Sequence, residues 1–230
     1  MYNDWTPDIE SKWIFRNTTY LPNELLPFVR NGEEITSLQD RNFSLTTRFS
    51  FGERVIDEHF QRLYIKSSKP IIYATVEGGE FKFADEKGKY GKLSGTFMQR
   101  GQFLLGEWRY MVEAGKIFGD VPYPMLKFLQ GKDATAYNRY EFSMMNGREY
   151  IADTYATLFT ELITNGIILN NIPLIKHLNL REIASFKMAY GTLSDGHSRL
   201  MTIPESSGKF TQPYSEVSIG FCNLLGVASV

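Results

Sequence analysis

Leu104-Leu105-Gly106-Glu107-Trp108-Arg109-Tyr110-Met111-Val112-Glu113-Ala114-Gly115-Lys116 alternates. Its even positions carry Leu104, Gly106, Trp108, Tyr110, Val112 and Ala114, while its odd positions include Glu107, Arg109 and Glu113, with Leu105 and Met111 as exceptions. Successive side chains of a strand point to opposite faces, so a period of two sorts this segment into an apolar face and a charged one. A helix would scatter the same charges around its circumference. Just upstream, residues 90–103 set Leu93, Gly95 and Phe97 against Lys92, Ser94 and Thr96. Arg100-Gly101-Gln102 supplies turn residues between the two runs, which predicts a β-hairpin.

The same period recurs outward from this hairpin. In residues 42–51, Phe43, Leu45, Phe49 and Phe51 share one face with Thr47, and Asn42, Ser44, Thr46, Arg48 and Ser50 share the other. In residues 178–190, Leu178, Leu180, Ala184, Phe186, Met188 and Tyr190, interrupted by Glu182, face away from Asn179, Arg181, Ser185 and Lys187. Residues 70–76, 139–145 and 213–221 are weaker strand candidates. Residues 149–166 are ambiguous: Ile151, Tyr155, Leu158, Phe159 and Leu162 suit the face of a helix ending at Gly166, and periodicity alone favours that over a strand. Residues 1–40 read as an irregular segment or loop with short helical turns, broken by Pro22 and Pro27.

Strand length separates two architectures. Around 10–13 residues at roughly 3.4 Å each, tilted ~40°, project to about 26–34 Å, the height of the apolar band of an outer-membrane barrel. Soluble strands average nearer five or six residues. The pattern therefore predicts an all-β, antiparallel transmembrane β-barrel over residues 41–230, incomplete in this chain. Arg48, Glu107, Arg109, Glu113, Arg181 and Lys187 would line its water-filled or network-filled lumen. The spacing of Glu107, Arg109 and Glu113 suits cross-strand ion pairs, with a pore-lining or substrate-contacting set as the functional alternative. A soluble β-rich binding module with one solvated face accounts for the same alternation.

Composition excludes other classes. The 230 residues carry 25 Lys+Arg against 26 Asp+Glu, a net charge of −1 with no basic cluster, which removes the sequence argument for a nucleic-acid partner. One cysteine, Cys222, can form neither an internal disulfide nor a cysteine metal cage. No run of about 20 apolar residues is present to span a bilayer as a helix. The aromatic content of 14% suits instead a lipid-facing strand surface. The opening Met1-Tyr2-Asn3-Asp4-Trp5 is not a secretory signal, and the run from Tyr214 to Phe221 begins a strand soon before the last residue, which suggests a chain cut before its natural end.

Motifs for chemistry are nearly absent. His59, His177 and His197 lack metalloprotease spacing and read as surface or loop histidines. Gly131-Lys132-Asp133 lacks the residues of a phosphate-cradling loop, and Cys222 reads as a small packed residue. No catalytic residue, metal site or cofactor is expected, and the chain is not expected to be an enzyme.

The run Gly115-Lys116-Ile117-Phe118-Gly119-Asp120-Val121-Pro122-Tyr123-Pro124-Met125-Leu126, after Trp108-Arg109-Tyr110, resembles a Gram-negative outer-membrane family of unknown function in which the barrel follows a carboxypeptidase-regulatory-like domain. The resemblance continues in order through Phe142-Ser143-Met144-Met145-Asn146, Glu149-Tyr150-Ile151-Ala152-Asp153-Thr154-Tyr155, Asn171-Ile172-Pro173-Leu174-Ile175-Lys176, Leu178-Asn179-Leu180-Arg181-Glu182 and Pro213-Tyr214-Ser215-Glu216-Val217. It implies a membrane strand after Asp153, against the helical periodicity there. It implies further that the prolines at 122, 124 and 173 fix turns at the barrel rim or mouth. The regulatory-like domain is non-catalytic, so its name implies no peptidase. The expected function is that of an outer-membrane protein of a Gram-negative bacterium serving transport, surface assembly or envelope integrity. Its expected partners are outer-membrane lipid and other envelope proteins.

Overall fold

Eight strands follow one another through a single antiparallel sheet in which spatial order repeats chain order. They are β1 (Pro7–Tyr20), β2 (Leu38–Phe51), β3 (Ile71–Phe83), β4 (Glu86–Phe103), β5 (Gly106–Phe118), β6 (Thr154–Thr164), β7 (Arg181–Thr192) and β8 (Tyr214–Cys222). The structure is a computed structural model that describes residues 7–223 apart from 25, 53, 59, 60, 66, 67, 133–137, 174, 175 and 179, with the backbone alone for 54–58 and 61–65. His59 and residues 224–230 therefore lie outside the described residues. Among those described, β1 and β8 are the two edges of the sheet and do not pair with each other, so no closed barrel is seen.

The alternating segments are strands, and register explains why. Trp13 stands opposite Leu45, Leu45 opposite Val76, and Val76 opposite Leu93, so apolar positions of four neighbouring strands fall on one face. A slip of one residue would send each of them to the other side. Three expectations are corrected. Residues 7–20 are not irregular but a 14-residue strand paired along its length with β2, in which Asp8, Glu10, Lys12 and Arg16 alternate with Ile9, Trp13 and Phe15. The hairpin turn is Leu104-Leu105, because β4 continues through Arg100-Gly101-Gln102 to Phe103. Gly101 faces the Trp108 ring, where an added Cβ would lie 2.5 Å from ring atoms; the glycine makes room for an indole and does not turn the chain. Residues 154–164 are a strand, as the resemblance implies and the periodicity does not. Its inward face mixes Tyr155 and Phe159 with Thr157 and Glu161, and that mixture imitates a helical stripe.

The two faces differ in their cover. One is bare: Trp13, Phe15, Val217 and Ile219 are each at least 73% exposed, and Phe43, Val76, Leu93, Val112, Leu162, Phe186 and Phe221 are exposed as well. The other is covered by the long connections. Leu38, Phe81, Phe83, Tyr90 and Ile117, from β2 to β5, share one buried cluster with Val121, Tyr123, Met125, Leu126, Ile151 and Met201 from the loops. Met111, Phe159 and Ala189 share a second with Leu129, Phe142 and Met145. The proline segment expected at the barrel rim or mouth is a turn, the short 3-10 helix Tyr123–Met125 after Pro122, packed into this core with Tyr123 wholly buried and donating its hydroxyl hydrogen to the Pro27 carbonyl at 2.7 Å.

Candidate functional site

The covered face carries the charged side chains. Residues 107, 109 and 113 are separated by even numbers, so β5 aims all three the same way. Arg109 bonds Glu161 of β6 at 3.1 Å and is also ion-paired to Glu107, which takes Arg100 of β4 at 3.1 Å. Arg139, from the loop above, reaches Glu161 at 2.8 Å. Arg100 and Arg109 stand directly opposite across the β4–β5 ladder, a repulsive placement that the two glutamates neutralise. The Glu161 side chain is only 3% exposed, and a carboxylate so far out of water persists through such pairing.

Glu113 belongs to a separate group. It accepts from Lys127 Nζ at 2.6 Å and from the Tyr155 hydroxyl at 2.9 Å, while the same ammonium lies 4.9 Å from the Tyr155 ring centre. Arg48 on β2 donates to the Tyr73 hydroxyl at 3.2 Å and Ser50 at 3.0 Å, with Glu10 at 4.0 Å. Lys187 is buried on β7, donating to the Glu141 carbonyl at 2.5 Å opposite Glu216 of β8. Glu216 in turn accepts the backbone N–H groups of Ser143 and Met144. All six residues singled out in the sequence thus point to the covered side, with Glu107 and Arg109 in one cluster and Arg48, Glu113 and Lys187 each in another. Arg181, the first residue of β7 and six positions from Lys187, is exposed at the end of that face, apart from these clusters. Sequence reasoning missed the partners Glu161, Arg139, Lys127 and Glu216; only Glu161 carried a signal, two positions along from Phe159 on one strand face.

His197 is also buried, where the sequence suggests a surface or loop position. Its Nδ1 lies 3.0 Å from the N–H and 3.2 Å from the carbonyl oxygen of Val121, and its Nε2 lies 3.3 Å from the Asp153 carboxylate. Asp153 also accepts the backbone N–H of Ser194 at 2.9 Å and the Ser194 hydroxyl. Burial alone would raise the Asp153 carboxyl, but the bonds from Ser194 and His197 outweigh it and hold the group below its ordinary value. Both imidazole nitrogens are engaged, and the serine bonds the carboxylate instead of the imidazole. The arrangement clips two connections, β5–β6 through Val121 and β7–β8 through Ser194 and His197, to the start of β6. Among the described residues, no three His, Cys, Asp or Glu side chains gather as a metal site.

Fold and site together define an all-β protein with a large antiparallel sheet, polar and covered on one face, apolar and bare on the other. The chain belongs to the family of unknown function DUF5686: residues 8–198 match its C-terminal domain. No curated protein and no solved structure matches the chain.

Proposed function

We propose that this chain forms part of an outer-membrane β-barrel of a Gram-negative bacterium, serving transport, surface assembly or envelope integrity, with membrane lipid as its principal partner. The observation that carries this is the inversion of polarity. The bare face presents aromatic and aliphatic side chains, while Arg109, Glu161, Glu113 and Lys187 lie on the covered one. Water penalises such an exposed apolar surface, and soluble monomers seldom keep one of this extent. Lipid rewards it. Strands of 9–14 residues, tilted ~40°, project to roughly 23–36 Å, which matches an outer-membrane apolar band, and β4 extends beyond it at 18 residues. The loops on the covered face would then fill the lumen next to these strands, and the edges β1 and β8 would pair with further strands to close the wall.

The soluble β-rich binding module fits less well: the covered face already holds its two apolar clusters, and the opposite face still leaves Trp13, Phe15, Val217 and Ile219 bare. Full-length protein expressed in a Gram-negative host tests the choice. Recovery in the outer-membrane fraction and heat-modifiable gel migration are expected; a soluble periplasmic product would refute the barrel.

A further inference from the structure

The bare face is apolar through its middle and basic at one end of β2, β3 and β4. There Arg41 stands opposite Glu80 and Glu80 opposite Lys89, while in the next outward row Gln39 stands opposite Lys82 and Lys82 opposite Lys87. All six are exposed around a recess of about 600 Å³. Two lysines directly across a ladder repel, and nothing in the sheet offsets Lys82 and Lys87. Among the described residues Arg41, Lys82, Lys87 and Lys89 make no ion pair within 4.0 Å, Glu86 is occupied by Arg30 at 2.6 Å, and the remaining acids are Glu80 and the turn residue Asp85. Four cations against these two leave a positive patch. With strands ~4.8 Å apart and rows ~7 Å apart, the patch is the size of one or two phosphate groups.

The row beneath it, toward the apolar middle, is Phe43, Gly78, Gly91, Phe118 across β2 to β5. Cβ atoms added at Gly78 and Gly91 would meet only backbone oxygens, at 3.9 and 3.8 Å, so the two glycines floor an open notch. Phe43 and Phe118, 47% and 50% exposed, stand at its sides. Lys116 lies 5.5 Å from the Phe118 ring centre.

We infer that this corner binds a net-anionic phospholipid, its phosphate headgroup on Arg41, Lys82, Lys87 and Lys89 and the start of an acyl chain in the Gly78/Gly91 notch. The inference rests on the membrane reading above and adds a ligand class to it. A phosphate contributes the negative charge that the lysine pair lacks, and adjacency of a basic recess to an apolar notch matches a molecule with both parts. Free phosphate would use only the first.

The test uses full-length protein in nanodiscs of phosphatidylcholine with a minor fraction of phosphatidic acid, and native mass spectrometry of the lipid that stays bound. Preferential retention of phosphatidic acid is expected, falling about fivefold for each lysine removed in K82Q and K87Q. Gly78→Leu should abolish retention while both lysines remain, and inorganic phosphate should compete poorly. Heat-modifiable migration of each variant controls for folding, and Gly91→Ala, a smaller filling, serves where Gly78→Leu fails to fold. Equal retention of both lipids by the wild type, or full competition by inorganic phosphate with no effect of filling the notch, overturns the inference. A soluble wild-type protein would instead remove the membrane reading beneath it.

Discussion

Val76→Arg separates a lipid-facing surface from a water-facing one. Val76 is 54% exposed, flanked in register by Leu45 and Leu93, and lies four residues from Glu80, the first charge along the same face of β3. Four residues are about 14 Å of strand, or roughly 10 Å of depth at a tilt of ~40°. An arginine there cannot bring its guanidinium to water without distorting the surface, and near the midplane it costs about 2–4 kcal/mol. In water the same substitution at a half-exposed position changes stability by no more than about 0.5 kcal/mol. The two environments therefore differ by about 1.5–4 kcal/mol, or roughly 10- to 1,000-fold in the folded-to-unfolded ratio. Urea unfolding of the full-length protein in phosphatidylcholine vesicles, followed by tryptophan fluorescence, reads the difference directly, with Val76→Thr as a control of similar size and no charge. A variant as stable as wild type in vesicles would refute the lipid-facing assignment.

Other perturbations address the covered face. Glu161→Gln leaves Arg109 and Arg139 without their shared carboxylate; since both arginines retain some water contact, the loss should be about 2–3 kcal/mol, below that of a fully buried pair, and a double-mutant cycle with Arg139→Gln should show non-additivity. Asp153 has a folded carboxyl value below its unfolded one, so its contribution is present above the ordinary carboxylate range and lost as pH falls through the folded value; Asp153→Asn should flatten the decline in stability on acidification through and below that range and cost about 1–3 kcal/mol near pH 7. Gly106→Ala would place a Cβ 2.0 Å from the Ile163 carbonyl oxygen, so β5 and β6 must part; a loss of at least about 1–3 kcal/mol is expected, with faster hydrogen exchange around 104–108 and 162–166 as its local signature.

Alternation made β5 and β2 legible without coordinates, because each keeps its apolar residues on one side and its charges on the other, and backbone geometry converts that into two faces. The run Leu104–Lys116 therefore determined strand, polarity and the company of Glu107, Arg109 and Glu113. It could not determine partners: Glu161 is 52 positions from Arg109, and a ladder register joins them. β1 was legible too: Asp8, Glu10, Lys12 and Arg16 alternate with Ile9, Trp13 and Phe15, broken by Ile14, and only the neighbouring prolines made the segment look irregular. Residues 154–164 misled for a different reason. A face that packs on an apolar loop layer accepts Tyr155 and Phe159 beside Glu161, so hydrophobicity no longer marks which side is inside. His197 and the Pro122–Pro124 turn are buried through contacts made by distant loops. Local pattern determines what depends on neighbours one or two positions away; burial, pairing and the sorting of the bare from the covered face depend on segments tens of residues apart, and the tertiary structure alone decided those.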